Sequence, residues 1–194
     1  MAVPADPPQA NPAPPRERQR LFFALWPGTA VRRQIAHTTT RLAEAQQTRG
    51  RRLRPDRYHL TLQFLGDFDA VPEALIDAAI VAADDVYVTG FELLLDRAGS
   101  FGGARVGWLG PTVVPPGLHA LWEALGQSLD RHDVPHPSNG ASEWVPHVTV
   151  LRGMRRPMSP GIEPIRWPVE GFVLIRSQSG PEGYAVLQHW KLGG

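Results

Sequence analysis

Apolar positions along the chain recur at two spacings, one typical of strands and one typical of helices. Strand-like segments, each bounded by turn residues, cover 20–26, 59–66, 91–96, 105–109, 147–150, 170–178 and 183–192. Helix-like segments cover 29–48, 72–83 and 117–131. The pattern therefore predicts an alternation of short strands with three amphipathic helices.

The segment 20–26 is a continuous apolar run that stops at Pro27-Gly28, and it predicts a central strand covered on both faces. The segments 91–96 and 105–109 predict a hairpin whose turn lies at 99–103. This glycine-rich turn lacks the spacing and the following helix of a nucleotide-phosphate loop, so we interpret it as a plain connection.

The order helix, loop, histidine-bearing strand and further strand occurs twice along the chain. We therefore predict an α+β fold of two lobes, each an antiparallel sheet backed by helix, related by an approximate twofold duplication. The stretches 50–57 and 132–142 predict loops, and a proline-rich connection precedes residue 170. Strands and helices do not alternate strictly enough for a parallel doubly wound sheet.

Residues 1–18 are rich in proline and almost free of bulky apolar side chains. Such a segment cannot bury enough surface to offset its loss of conformational entropy, so we predict a disordered tail. Residues 19–194 are then expected to form a single bilobal domain. A module whose proline-rich tail binds a protein partner is the alternative that this composition leaves open.

Composition excludes several function classes. The formal net charge is +1, so no overall field attracts the protein to nucleic acid. The absence of cysteine excludes disulfides, a thiolate zinc site and a thiol nucleophile. No apolar run approaches a membrane span, and the amino terminus lacks the layout of a secretory signal. We expect a soluble, cytoplasmic monomer that does not bind a membrane and needs no obligate protein partner.

Two strands carry the same motif, His59-Leu60-Thr61-Leu62 and His147-Val148-Thr149-Val150. Alternation places each histidine and its threonine on one face of the strand and the apolar residues on the other. Each strand can therefore bury its apolar face and present an imidazole and a hydroxyl to a cleft. A third His-x-Thr sequence, at His37, lies in a predicted helix and lacks the apolar positions.

Two imidazoles in one cleft can serve as general base and general acid near neutral pH. Reactions that use such a pair without a metal or a covalent intermediate include the in-line attack of water on a phosphodiester. Threonine hydroxyls and an arginine would stabilise the charge on the phosphate oxygens. The alternative for either histidine alone is an ordinary strand residue with structural partners.

Other residues near the motifs are weaker candidates. Arg152 is suited to grip a phosphate, but strict alternation puts it opposite His147, so reaching the cleft requires a bend. Gln63 is predicted to share the face of His59. Phe101 and Trp144 are candidates to stack a base, and core packing or plain exposure is the favoured alternative for each. A cluster of arginines before the first motif suits an anionic chain or a solvated loop equally well, and its members are Arg49, Arg51, Arg52, Arg54 and Arg57.

The spacing of His132 and His136 resembles that of helical metal ligands. Pro135 disrupts the helix that would align them, and no third ligand is evident. We therefore expect no metal and no cofactor.

The paired motifs resemble those of the two-histidine phosphoesterases, in particular the bacterial RNA 2′,3′-cyclic phosphodiesterases, also described as 2′-5′ RNA ligases. The resemblance extends through 20–26, Leu65-Gly66, 105–110, 146–152 and 184–192, and covers nearly all of 19–192. It implies a bilobal fold with a central groove that receives one motif from each lobe.

The resemblance also implies an activity, the opening of a 2′,3′-cyclic phosphate at an RNA 3′ end to leave a 2′-phosphate without a metal. By the family pattern, His59 is the general acid and His147 the general base. Thr61, Thr149 and Arg152 would hold the phosphate. A cyclic phosphate on a small nucleotide or on ADP-ribose is an alternative substrate, and a non-catalytic RNA- or nucleotide-binding domain is an alternative function.

Overall fold

The computed structural model describes residues 18–45, 50–136, 144–154, 161–178 and 183–193. The helices are α1 (Thr29–Ala45), α2 (Glu73–Asp84) and α3 (Pro116–Arg131), with a short 3-10 helix at Pro55–Arg57. The strands are β1 (Gln19–Leu25), β2 (Arg51–Arg52), β3 (Leu60–Phe68), β4 (Phe91–Phe101), β5 (Val106–Gly110), β6 (Val148–Arg152), β7 (Gly161–Val169), β8 (Gly171–Gln178) and β9 (Tyr184–Lys191). The predicted tail therefore lies outside the described residues, except for Arg18.

The named strands form one sheet in the order β7-β4-β5-β6-β3-β1-β8-β9, and β2 pairs with β6 beside this path. Every pair of neighbouring strands is antiparallel. The two histidine-bearing strands, β3 and β6, are central neighbours with three strands beyond each of them, and they meet at the single pair Leu60↔Val148. The predicted α+β class is confirmed, and the two predicted sheets are joined at this pair. The twofold duplication remains a prediction.

One main hydrophobic core contains side chains from all three helices and from the strands they cover. β1 lies between β3 and β8, with Leu21, Phe23 and Leu25 in this core. Phe22 and Ala24 point to the opposite face, where they belong to a second, smaller cluster. The prediction of a central strand covered on both faces is therefore confirmed. No described helix is both long enough and apolar enough to cross a membrane.

Two strands replace predicted connections. β7 lies in the segment that we predicted to be a proline-rich connection, and it pairs with β4 at the end of the sheet order. Its Pro164 and Pro168 are compatible with an edge strand, because an edge position does not require every N–H for pairing. β2 is a two-residue strand within the predicted basic loop.

The hairpin turn also lies later than predicted, because β4 continues through Gly99 and Ser100 to Phe101. Gly99 is paired with Trp108, and a Cβ at Gly99 would lie 2.2 Å from the indole ring. This glycine allows the indole to approach the neighbouring backbone and does not mark a turn.

Candidate active site

The pair Leu60↔Val148 brings the two motifs together at the centre of the sheet. Both side chains are completely buried in the main core. Because successive residues of a strand point to opposite faces, the residues on either side of this pair lie on the opposite face of the sheet. Those residues are His59, Thr61, His147 and Thr149, and all four are half-buried. The geometry thus places the predicted histidines and threonines on one face of the sheet, on neighbouring strands.

Both imidazoles are held in the same way. Nδ1 of His59 lies 2.9 Å from the carbonyl oxygen of Arg57, and Nδ1 of His147 lies 2.8 Å from that of Val145. A carbonyl oxygen only accepts hydrogen bonds, so Nδ1 must carry the proton in each ring. In the neutral rings, Nε2 is then the nitrogen with a free lone pair, as a general base requires.

The two histidines differ in how strongly their surroundings disfavour the charged form. Burial lowers the pKa of His59 from 6.5 to about 4, against the opposing effect of the Arg57 carbonyl. The positive charge of Arg152, and that of His147 when its ring is protonated, lower the pKa of His59 further. Burial also lowers the pKa of His147, and the Val145 carbonyl opposes that shift. Both rings of the free protein therefore favour the neutral form.

A bulge in β3 corrects the prediction for Gln63. Phe23 pairs with Gln63 and the next residue, Ala24, pairs with Thr61, so Leu62 is an extra residue on β3. Leu62 and Gln63 are consequently both buried. The Gln63 amide nitrogen donates a hydrogen bond of 3.0 Å to the carbonyl of Trp122 on α3. The amide therefore belongs to the contact with the helix, and the prediction that it shares the face of His59 is wrong.

An equivalent bulge in β6 supplies the bend that Arg152 needs. Trp108 pairs with Thr149 and the preceding residue, Gly107, pairs with Leu151, so Val150 is the extra residue. The Val150 carbonyl accepts a hydrogen bond of 2.9 Å from the N–H of Leu53. After the bulge the alternation is reversed, and the exposed Arg152 lies close enough to His59 to lower the pKa of that ring.

Aromatic rings enclose each histidine on its own side of the cleft. The centroid of the His59 ring lies 5.0 Å from Phe22, 5.2 Å from Tyr184 and 6.4 Å from Trp26. These residues come from β1, from the loop after it and from β9. No local sequence signal predicted their roles, because they meet His59 only through the order of strands in the sheet.

The His147 ring lies 4.9 Å from Phe101, with its plane nearly perpendicular, and 6.3 Å from Trp108. Phe101 therefore contacts the second histidine directly. Trp144 is stacked on Trp122 of α3 at 5.0 Å, so one face of its ring is covered by the helix. A base-stacking role for either residue remains a prediction.

The arginines that precede the first motif have separate environments in the structure. Arg54 forms hydrogen bonds with the carboxylate of Asp56, and Arg52 donates one of 3.0 Å to the Thr40 hydroxyl on α1. Arg57 instead lies over the ring of Tyr184, beside His59. Arg49 lies outside the described residues. The described members of the predicted cluster, of which Arg51 is also exposed, therefore differ in their contacts.

The two histidines considered as metal ligands have protein partners. His132 Nε2 lies 2.7 Å from the Asp85 carboxylate, and His136 Nδ1 lies 3.1 Å from the Val134 carbonyl. Among the described residues, no three histidine or acidic side chains come together in a way that could hold a metal ion.

Comparisons with known proteins agree with this arrangement. Residues 27–181 match the model of a family described as the 2′-5′ RNA ligase superfamily. An RNA 2′,3′-cyclic phosphodiesterase from Escherichia coli (strain K12) is 33% identical over 180 residues, which are 91% of this chain and 98% of the relative. A protein of the same name from Thermus thermophilus is 31% identical, and the match covers 90% of this chain and 91% of the relative.

The fold is also similar to a solved structure. The crystal structure of E. coli LigT complexed with 3′-AMP superposes with a TM-score of 0.76 at 33% identity, covering 91% of this chain and 99% of that one. The similarity therefore spans most of this chain and nearly all of that one.

Proposed function

Because the chain belongs to the 2′-5′ RNA ligase superfamily of two-histidine phosphoesterases, we propose that it hydrolyses 2′,3′-cyclic phosphates at RNA 3′ ends. The observation that carries the proposal is the pairing of Leu60 with Val148, because it sets both imidazoles and both threonines on one face. The two curated relatives are named for this activity. The similar E. coli structure holds 3′-AMP, a nucleotide with a phosphate at the 3′ position.

In the proposed reaction, water attacks the phosphorus atom of the cyclic phosphate. Nε2 of neutral His147 accepts the proton of the water as general base. The bond between phosphorus and the 3′ oxygen breaks, and Nε2–H of protonated His59 donates a proton to that oxygen. The product has a 3′ hydroxyl and a 2′-phosphate. Before the next turnover, His147 releases its proton to solvent and His59 takes up a proton from solvent, which restores both groups.

The phosphate itself prepares the acid. In the free protein the pKa of His59 is about 4, so its ring carries little charge near pH 7. A bound phosphate anion favours the charged imidazole and therefore raises this pKa. The cleft thus acquires its catalytic proton together with its anionic substrate.

Thr61, Thr149 and Arg152 are proposed to hold the non-bridging oxygens. Thr61 and Thr149 directly follow the paired residues Leu60 and Val148 on the two central strands. The bulge at Val150 turns Arg152 toward the same face. A guanidinium can donate two parallel hydrogen bonds to a phosphate, and its charge offsets the negative charge that grows during attack. We propose that no metal takes part, since these groups supply the acid, the base and the counter-charge.

The test is the product formed from an RNA oligonucleotide with a 2′,3′-cyclic phosphate in the presence of EDTA. We expect hydrolysis to a 2′-phosphate, which phosphorus NMR distinguishes from a 3′-phosphate. A 3′-phosphate product would contradict the assigned acid and base, and a loss of turnover on metal removal would contradict the metal-free reaction. No turnover on this or on mononucleotide cyclic phosphates would favour a binding domain.

The pH dependence provides a second test. The reaction requires one protonated and one neutral histidine, so kcat/KM should follow a bell-shaped curve. Burial lowers the pKa of both rings below 6.5 in the free protein, so the maximum of kcat/KM should lie below pH 6.5. The rising and falling limbs of this curve report apparent pKa values of the coupled pair of histidines.

A further inference from the structure

A guanidinium lies one tryptophan ring away from His59. The Trp26 ring is stacked beside the His59 ring, with the two centroids 6.4 Å apart and the planes inclined by 26°. The guanidinium carbon of Arg32 lies 4.6 Å from the centre of the Trp26 ring, within the range of a cation–π contact. The N–H of Arg32 donates a hydrogen bond of 3.0 Å to the Gly28 carbonyl, so the start of α1 is tied to the turn that carries Trp26.

The protein offsets the charge of Arg32 only weakly. Its Nε atom is covered and has no hydrogen-bond partner among the described residues. Burial lowers the pKa of Arg32, and the negative charge of Asp56 opposes that shift. The Asp56 carboxylate, however, already accepts hydrogen bonds from Arg54 on both of its oxygens. Because Arg32 is only half-buried, its terminal nitrogens are the donors that a ligand can reach.

A similar arrangement lies on the other side of the site. The Trp108 ring lies 6.3 Å from the His147 ring, and the guanidinium carbon of the exposed Arg97 lies 5.5 Å from the centre of the Trp108 ring. Each imidazole therefore has an arginine one tryptophan ring away. The two arginines differ in which side of the reacting phosphate they serve.

The direction of the proposed reaction distinguishes the two sides. Water activated by His147 attacks the phosphorus atom in line with the departing 3′ oxygen, which receives its proton from His59. The ribose that holds this oxygen therefore lies on the His59 side of the phosphorus atom. An RNA chain continues from the same ribose through its 5′ carbon, so the preceding phosphodiester is placed beyond His59.

We propose that Arg32, supported by the Trp26 ring, binds the phosphodiester that precedes the reacting nucleotide of an RNA chain. The inference rests on the proposed function and deepens it, because it makes an RNA end a better substrate than a mononucleotide. A guanidinium can donate two parallel hydrogen bonds to the non-bridging oxygens of a phosphodiester. Arg97 lies on the side of the attacking water and does not contact this group.

The experiment compares kcat/KM for two dinucleotides with a 2′,3′-cyclic end. One has a normal phosphodiester between its nucleosides, and the other has an uncharged methylphosphonate in the same place. Both keep the same two nucleosides, so the ratio of the two kcat/KM values measures recognition of the phosphodiester charge. We expect a ratio of roughly ten in favour of the phosphodiester. The difference should appear mainly in KM, since this group is bound equally before and during the reaction.

Variants assign that ratio to one side chain. Arg32→Gln should reduce it to nearly one, and Arg32→Lys should retain part of it, because a lysine keeps the charge without the paired hydrogen bonds. Two controls remove the same charge elsewhere. Arg33→Gln changes the next residue of α1, which is exposed, and Arg97→Gln changes the arginine on the His147 side. Both controls should leave the ratio unchanged.

Equal kcat/KM for the two dinucleotides in the parent protein would overturn the proposal without the need for any variant. An unchanged ratio in Arg32→Gln would also overturn it, and so would an equal loss in either control, which would indicate a general effect of charge. If neither dinucleotide is hydrolysed, the proposed function fails, and binding tests the subsite by itself. Calorimetry would then have to show tighter binding of a 3′-phosphorylated dinucleotide than of its methylphosphonate form, with the difference lost in Arg32→Gln.

Discussion

The two histidine strands share their backbone geometry and differ in what surrounds them. In both, Nδ1 is bound to the carbonyl two residues earlier, and a bulge follows at the third residue after the histidine. His59, however, lies among three aromatic rings and near the charges of His147 and Arg152. A repeated motif thus fixes how each ring is held, whereas its neighbours determine how readily the ring takes a proton.

The position five residues after each histidine shows the same division. Both bulges turn this residue toward the cleft face, where the first strand has Phe64 and the second has Arg152. Phe64 packs on the small cluster around Phe22, whereas Arg152 adds a positive charge to the site. Equivalent backbone positions therefore serve packing in one half and electrostatics in the other.

The largest effect is expected from removing either histidine. His59→Ala and His147→Ala should each reduce kcat by about 10²- to 10⁴-fold, because each removes one of the two proton-transfer groups. The measurement is hydrolysis of a cyclic-phosphate RNA, with thermal unfolding to verify the fold. His37→Ala, on the exposed side of α1, is the control and should retain full activity. Near-normal turnover in either cleft variant would show that the two strands do not act as a pair.

The unequal burial of the two rings should appear in the stability of the protein toward acid. The pKa of His59 is about 4 in the folded protein and near 6.5 in the unfolded chain, so folding favours the neutral ring. The contribution of neutral His59 to folding stability is complete above pH 6.5 and is lost as the pH falls toward 4. The reason is that the unfolded chain binds a proton at a higher pH than the folded protein does.

When the pH is lowered from 6.5 to 4, the free energy of unfolding should therefore decrease less for His59→Asn than for the parent protein. The difference should be roughly 2–3 kcal/mol at most, from the size of the pKa shift. Urea titrations at a series of pH values measure it, and His37→Asn is the control. Parallel pH profiles for the parent and His59→Asn would refute the low pKa.

Arg152→Gln should lower kcat/KM by about tenfold to a hundredfold, the usual cost of losing a charged hydrogen bond. Removal of the positive charge should also raise the pKa of His59, which proton NMR can follow. Phe64→Leu, at the equivalent position of the other strand, should change kcat/KM by less than about threefold while preserving most of the packing. Equal losses in the two variants would remove the distinction between the strands.

The smallest effect is expected at Gln63. Gln63→Leu removes the hydrogen bond to the Trp122 carbonyl and should reduce stability by about 1 kcal/mol, or roughly 2–4 °C in Tm. Its kcat/KM should stay within about twofold of the parent value, since the amide faces α3. A tenfold loss of activity without a change in Tm would place the amide in the cleft after all.

Periodicity alone identified the central strand, the three helices and the two matched motifs, because each depends on residues that are close in sequence. It misplaced two features for local reasons. The prolines of β7 led us to predict a connection, although an edge strand tolerates proline. Gly99 led us to predict a turn, although it lies within β4, where the absence of a side chain lets the Trp108 ring approach the backbone.

The sequence by itself determined which side chains could perform the chemistry, since the motifs place His59, Thr61, His147 and Thr149 on the strand faces opposite their apolar neighbours. Only the tertiary structure decided that β3 and β6 are neighbours and that Tyr184 lies beside His59. It also decided that Arg152 lies on the histidine face of the sheet and Gln63 on the opposite face. Side-chain alternation is a local property that a single extra residue reverses. The surroundings of a ring depend on strand pairing between residues far apart in the chain, which no short stretch of sequence specifies.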